Sequence, residues 1–394
     1  MREVVVIGVG MHPWGKFPGK TYLDIGRTAM SRALDNAGLQ WNEIQAMTAG
    51  CYVWGGTNGY AAGNELAQSF GYTGIPITNV FNGCATASSS FRSAYQIVAS
   101  GEQDICLAIG MEVSPEGFFP FMGEEGDKTS SDFLRWRMVG VSNPGYWALE
   151  ARKRMEEVGT TEMHYALAKV AASKHGALNP DACFKKVYTV EEVLNSPMVC
   201  DPLRLFEICA TRDGAACAIL CSKEKARQYT NKPVIVAGVG LGSCMYGDST
   251  LAVGKLSTVS EPMAPGLSES YASARMAYKH AGIGPEDVDF IELPDNSSWH
   301  YLAYLDCLGF TKPGEAERML ETGDTLIGGK LPVCPSGGAS SHGECVSAQG
   351  LFEIVECVTQ LRGQAGARQV EGARVGMAQT YGFNGNSGAA ILKI

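Results

Sequence analysis

The sequence predicts an α/β protein made of two similar halves, the first interrupted by a long insertion. Three observations carry that expectation. The run VVVIGVG at residues 4–10 returns as VIVAGVG at residues 234–240, and both are short β-branched segments ending in glycine, the pattern of a buried strand leading into a tight turn. Each is followed by an amphipathic, helix-like stretch that closes on Ala-Gly, at Ala37-Gly38 and at Ala281-Gly282, where glycine suits a helix C-cap. Between residues 114 and 205 the pattern breaks, with Pro115, Gly117, Pro120 and Gly123 punctuating an acidic loop; a long insertion of this kind is commonly a lid over a site.

In chain order, the first half reads as a strand at 4–10, a helix at 25–37, a turn and short strand over 39–49, a small-residue turn GCATAS at 83–88 leading into a helix, and a late strand at 105–110. The second half repeats the series. A strand at 234–240 is followed by a helix at 271–281, a turn and strand over 283–293 in which Glu286-Asp287-Val288 echoes Asn42-Glu43-Ile44, the turn GGASS at 337–341, and a late strand at 375–379. Such repetition implies two α/β halves, each a mixed sheet covered by helices. The halves are expected at residues 1–230 and 231–394, with the lid at about 114–205. Helical stretches in the insertion are expected to carry Arg152-Lys153-Arg154 and Lys185-Lys186.

Composition narrows the function. With 394 residues, 45% of them hydrophobic and 19% charged, and with 48 glycines and 17 prolines, the chain fits neither disorder, collagen nor coiled coil. A net charge of −9 opposes nucleic-acid binding in the absence of a local basic patch. No apolar stretch is long enough to span a bilayer. The thirteen cysteines are odd in number and scattered, and Met1-Arg2-Glu3 leads straight into the first strand without a signal-peptide run, so reduced thiols and a cytoplasmic location are expected. Cys217 and Cys221, the closest pair, sit in an apolar run without a histidine and read as core packing; no metal site is expected. Pro13 stands where a third glycine would complete a dinucleotide fingerprint after Gly8 and Gly10, which argues against a nucleotide cofactor.

Cys84 is the candidate nucleophile. The segment Asn82-Gly83-Cys84-Ala85-Thr86 places a thiol at the mouth of a helix among small residues, where the helix N-terminus favours the thiolate and backbone N–H groups could hold an oxyanion. From these residues alone, a buried packing cysteine is an equal alternative.

Cys84 with its small-residue helix, Asn179-Pro180, Asp213-Gly214-Ala215-Ala216, Pro335-Ser336-Gly337-Gly338 and the closing Gly388-Ala389-Ala390 together resemble the thiolases, most closely the sterol-carrier-protein type and its lipid-transfer-protein homologues. The resemblance implies the thiolase fold, a layered αβαβα body of two duplicated halves with a loop domain inserted in the first. It implies an acyltransferase that cleaves a 3-oxoacyl-CoA with coenzyme A through an acyl-Cys84 thioester. CoA would be a substrate, and no cofactor would be bound.

The acid and base motifs depart from the family. Glu292-Leu293 is followed by Pro294 where a histidine is usual, so Asn296 is the candidate oxyanion donor, its amide able to donate without titrating; an ordinary turn residue is the alternative. The usual Gly-His-Pro reads Gly343-Glu344-Cys345. Glu344 is the candidate base if burial raises its pKa, with His342, or loss of the function, as alternatives, and Cys345 an accessory thiol. Tyr381, where a C-terminal cysteine is usual, is a candidate proton donor or a structural tyrosine. Gly385 in the same loop, with Trp299 and His300, reads as substrate-binding, a packed helix residue being the alternative for His300. Phe118, Phe119, Phe121, Trp136 and Trp147 could join in lining a pocket for a bulky acyl group, an aromatic one such as that of benzoylsuccinyl-CoA, with core or lid packing as the alternative. Arg135 and Arg137 are candidates for a substrate carboxylate or the CoA phosphates, with a solvated helix face as the alternative. The resemblance further implies a homodimer and a small OB-fold, zinc-ribbon partner giving a heterotetramer, any zinc sitting on that partner. A retro-aldolase acting on a side-chain acyl-CoA, and a non-catalytic lipid-binding scaffold, are the competing functions.

Overall fold

The computed structural model describes residues 2–51, 59–114, 143–230, 232–248, 266–382 and 385–394. The principal strands are β1 (Val4–Gly15), β2 (Ala46–Gly50), β3 (Ile77–Val80), β4 (Ile105–Glu112), a small separate hairpin of β5 (Met198–Cys200) and β6 (Leu203–Arg204), β7 (Asp213–Ser222), β8 (Val234–Ser243), β9 (Phe290–Glu292), β10 (Val375–Gly382) and β11 (Asn386–Lys393). Nine of them form one mixed sheet in the order β3-β2-β4-β7-β1-β8-β11-β10-β9.

The duplication is visible in that order. In the first half β1 runs antiparallel to β7, β7 antiparallel to β4, and β4 parallel to β2. In the second, β8, β11, β10 and β9 repeat those relations. Where β2 pairs in parallel with β3, β9 has a single parallel bridge between Ile291 and Val333. The halves join through Val5↔Ile235 and Val6↔Val234, on the two segments whose sequences repeat. Every residue of β7, DGAACAILCS, is buried, which suits a strand covered on both faces and explains its unbroken apolar run. Cys217 and Cys221 are core residues of that strand.

The repeated glycines serve close packing of helix on strand. Helix α1 (Tyr22–Ala37) ends at Gly38 with φ +67°. A Cβ on Gly10 would lie 2.3 Å from the Ala29 carbonyl oxygen of that helix, and one on Gly240 would lie 2.1 Å from the Ser273 carbonyl oxygen. The longer further helices are α2 (Ala62–Phe70), α3 (Thr86–Ser100), α4 (Asn143–Val158), α5 (Glu162–Ala177), α6 (Ser268–Ala281), α7 (Ser298–Cys307), α8 (Glu315–Thr322) and α9 (Gln349–Leu361). Ser273 belongs to α6, which closes on Gly282 with φ +69°. Helices α3 and α9 share one apolar cluster with both half-sheets.

Two expectations need correction. The turn at 337–341 leads only into the short helix Gly338–His342, and the long counterpart of α3 begins later, at Gln349. Gly343, at φ +87°, ends the short helix, and Glu344 then bridges to Thr211 in extended form before α9 starts. The sequence pair Lys185-Lys186 lies in irregular chain rather than in a helix.

In the insertion, Arg154 on α4 is not part of a solvated face. Its Nε and Nη2 donate to Glu317 at 2.9 and 3.0 Å, and its Nη1 donates to Asp306 Oδ2 at 2.8 Å. Those carboxylates belong to α8 and α7, so one buried arginine ties the insertion to the second half. Among the described residues, no helix is long and apolar enough to cross a membrane.

Candidate active site

Cys84 sits on the turn between β3 and α3. Gly83 takes φ +53°, a left-handed conformation that glycine adopts without strain, and the turn closes with Ala85 N–H to Asn82 O and Thr86 N–H to Gly83 O, both 3.1 Å. The helix begins two residues after the thiol. From the second half, the β10–β11 hairpin clamps this turn: Asn386 Oδ1 accepts from Ala85 N–H at 3.3 Å, and a Cβ on Gly382 would lie 3.0 Å from the Cys84 nitrogen. Small residues are needed here because two backbones meet at the Cys84 turn.

The Cys84 thiol donates to Glu344 Oε1 at 3.3 Å. Glu344 arrives there because residues 208–212 run as a strap between two loops. Glu344 N–H donates to Ala210 O at 2.7 Å and Arg212 N–H to Glu344 O at 2.8 Å, while Cys209 N–H donates to Asn296 O at 2.8 Å. Asn296 Nδ2 lies 3.8 Å from Cys209 Sγ, which is 4.0 Å from Glu344 Oε2. Gln349 Nε2 donates to Asn296 Oδ1 at 3.3 Å, so the amide turns its NH₂ toward Cys209 and Glu344. Burial pushes the Glu344 acid up to about 7, against the opposing hydrogen bonds from Cys84 and Asn296. A carboxyl group poised near neutrality can accept and return a proton at working pH.

A cysteine on a helix-entry turn, facing a raised carboxyl and an oriented amide, is equipped for acyl transfer. The comparisons agree with that chemistry. Residues 4–117 match the family model Thiolase, N-terminal domain, and residues 255–393 match Thiolase C-terminal domain-like. The chain is 36% identical to an acetyl-CoA acetyltransferase of Methanothermobacter thermautotrophicus, over 100% of this chain and 99% of that protein. The chain belongs to the thiolase family. It is an acyltransferase of that family, with thiolase-type activity toward acyl-CoA.

Other relatives of this thiolase include sterol carrier protein 2 of Bos taurus, 34% identical over 100% of this chain and 72% of that one. The benzoylsuccinyl-CoA thiolase subunit BbsB of Thauera aromatica is 32% identical over 97% of this chain and 95% of its own. Among solved structures, an Ltp2–ChsH2(DUF35) aldolase superposes with a TM-score of 0.83 at 24% identity, covering 99% of this chain and 97% of that chain. Human mitochondrial 3-ketoacyl-CoA thiolase gives 0.73 at 16%, covering 100% and 98%. Both share the thiolase fold.

Of the residues singled out in the sequence, the thiolase fold brings Cys84, Glu344 and Asn296 together and Tyr381 close by. Burial, with the neighbouring charges of Cys84 and Glu344, pushes the Tyr381 phenol well above its ordinary range, so it keeps its proton, and its oxygen accepts from Trp147 Nε1 at 3.1 Å. His300 packs beside Tyr381 with ring centroids 5.1 Å apart and meets Trp147 edge to face at 5.0 Å. Its Nδ1 accepts from Ser297 N–H at 3.1 Å, and burial holds the ring neutral, so the proton is on Nε2. Trp299 stacks edge to face on Tyr146. Gly385, at φ +73°, lies against Cys244, whose sulfur a Cβ would meet at 2.0 Å.

His342 and Cys345 do not join the cluster. His342 Nδ1 lies 3.1 Å from Gly338 O and its Nε2 3.4 Å from Asn179 Nδ2, and burial lowers its pKa to about 4. Cys345 turns its thiol to Gly214 O at 3.3 Å, because successive side chains of extended chain point to opposite sides. The second thiol at the site is Cys209, which the sequence reading passed over although it stands four residues before the Asp213-Gly214 pair that the reading used. Arg135, Arg137, Phe118, Phe119, Phe121 and Trp136 lie outside the described residues.

A cavity of about 450 Å³ opens beside the cluster, its wall including Cys209, Lys16, Lys169, Arg212, Phe184 and Tyr188. The Arg212 guanidinium lies over the Phe184 ring at 4.8 Å, and Lys169 Nζ donates to Ser340 O and Oγ at 2.9 Å. Among the described residues, Cys244, Asp248 and Glu269 are a further group whose ligand atoms come within 4.8 Å of one another; we assign it no ion.

Proposed function

We propose that this thiolase cleaves a bulky 3-oxoacyl-CoA with coenzyme A through an acyl-Cys84 thioester, with Glu344 as the base and Asn296 as the oxyanion donor. The contact of 3.3 Å between Cys84 Sγ and Glu344 Oε1 carries the reading. The thiol proton passes to the Glu344 carboxylate, and the thiolate attacks the 3-oxo carbon. The Asn296 NH₂ donates to the developing oxyanion. The bond between C2 and C3 then breaks, its electron pair goes to C2, and C2 is protonated, leaving an acyl group on Cys84. The CoA thiol gives its proton to Glu344 and attacks the thioester, releasing the second acyl-CoA and the Cys84 thiolate.

The cavity beside Cys209 fits the CoA arm: three cationic residues and two aromatic rings in its wall suit a chain of amides ending in phosphates. The relative that acts on benzoylsuccinyl-CoA by name supports a large, aromatic acyl group. That relative is also named as one subunit of its enzyme, which supports a second kind of subunit for this chain; we propose a homodimer of this chain with a small OB-fold, zinc-ribbon protein as that partner.

The test is a panel of 3-oxoacyl-CoA esters, incubated with CoA and followed by mass spectrometry of the Cys84 peptide. An acyl adduct in the native protein and none in Cys84→Ser supports the reading. Release of an aldehyde or ketone without CoA would make the protein a retro-aldolase instead. Absence of both adduct and turnover would leave a binding scaffold.

A further inference from the structure

Glu344 faces two thiols. Its Oε1 accepts from Cys84 at 3.3 Å and its Oε2 from Cys209 at 4.0 Å. Cys209 is buried at 4% exposure, is fixed by backbone hydrogen bonds on the 208–212 strap, and forms part of the cavity wall. Burial, with the nearby carboxylates of Glu344 and Asp295, pushes its thiol well above the ordinary range against the opposing effects of Asn296 and Lys169. A thiol held protonated in this way is a proton donor and a poor nucleophile.

We propose that Cys209 is the acid that protonates C2 of the departing acyl-CoA, and that Glu344 returns the proton to it. The inference rests on the acyl-Cys84 reading and adds the proton path that reading leaves open. Glu344 takes the proton of Cys84 when the nucleophile forms. As the bond between C2 and C3 breaks, the electron pair on C2 takes the proton of Cys209 Sγ, forming a C–H bond and leaving a thiolate. The protonated Glu344 then gives its proton to that thiolate. The proton that began on Cys84 is accounted for on C2, Cys209 is again a thiol, and Glu344 is again a carboxylate ready for the CoA thiol. No oxidant or further reactant is required. One carboxyl group bridging two sulfurs provides this path without rearrangement.

The experiment separates two reactions of the full-length protein. Acyl exchange from an acyl-CoA through Cys84 to free pantetheine breaks no carbon–carbon bond. Thiolysis of a 3-oxoacyl-CoA in D₂O, with deuterium read at C2 of the product, does. In Cys209→Ala, thiolysis and deuterium entry are expected to fall by roughly 10²–10⁴, the usual contribution of a positioned acid, while exchange slows less than about tenfold. Cys209→Ser, which keeps a proton at the position, should recover part of the loss. Thiolysis at the native rate in Cys209→Ala overturns the proposal, as does loss of C2 deuteration in Tyr381→Phe with Cys209→Ala still active. Should Cys209→Ala lose both reactions, Cys209→Val, which fills the site without a proton, is judged by the same pair of rates. Equal loss of both reactions there also overturns a separate role for Cys209. Absence of any Cys84 adduct in the native protein would instead sink the acyl-enzyme reading itself.

Discussion

Replacing Glu344 by glutamine keeps the shape of the side chain and removes the carboxylate that Cys84 faces, which should lower activity and raise stability together. The folded-state acid lies near 7 and its ordinary value is 4.5. Between those two values the folded chain holds a proton that the unfolded chain has released, so stability falls as pH rises through the window, and the loss is complete above it. A shift of this size corresponds to about 3 kcal/mol. For a chain of 394 residues, with an unfolding entropy of about 2 cal/mol/K per residue, that is a change of about 4 °C in Tm. Thermal unfolding of Glu344→Gln and the native protein should therefore nearly coincide at pH 4.5 and separate by about 4 °C at pH 8, the variant being the more stable. Over the same range kcat/KM for thiolysis by the native protein should rise through about pH 7 as the base ionises, and the variant should lose roughly 10²–10⁴ of it. A variant within tenfold of native activity, or a Tm difference that is the same at both pH values, would refute the assignment of Glu344 as a buried base.

Two further outcomes follow from the geometry. Asn296→Ala removes the amide that Gln349 orients toward Cys209 and Glu344, and kcat should fall by roughly 10²–10³ with little change in Tm; a change confined to KM would show that the amide does not meet the transition state. Arg154→Ala leaves Glu317 and Asp306 buried without their common partner, and denaturant unfolding should register a loss of about 3–5 kcal/mol. A loss below 1 kcal/mol would mean that the insertion is held by other contacts.

Much of the fold was legible because its signals are local. The β-branched runs at 4–10 and 234–240, each with glycines that let a helix lie on the strand, and the left-handed caps Gly38 and Gly282 depend on residues close in sequence. The turn carrying Cys84 was legible for the same reason, since Gly83 and the start of α3 are its immediate neighbours. The second half was harder to read at residues 337–349, where the turn resembled the first copy but Gly343 inserts an extended bridge before the long helix.

By itself, the sequence determined the duplicated α/β body, the insertion, the small-residue turn that carries Cys84, and the list of polar residues from which a proton-transfer site could be drawn. Only the tertiary structure decided among them. Glu344 rather than His342 faces Cys84, and Cys209 rather than Cys345 supplies the second thiol, because residues 208–212 pair with the Asn296 loop on one side and the Glu344 segment on the other. That pairing sets which side chains turn inward. Its register is a property of segments far apart in the chain, held by backbone hydrogen bonds between them, and neither composition nor local periodicity carries a record of it.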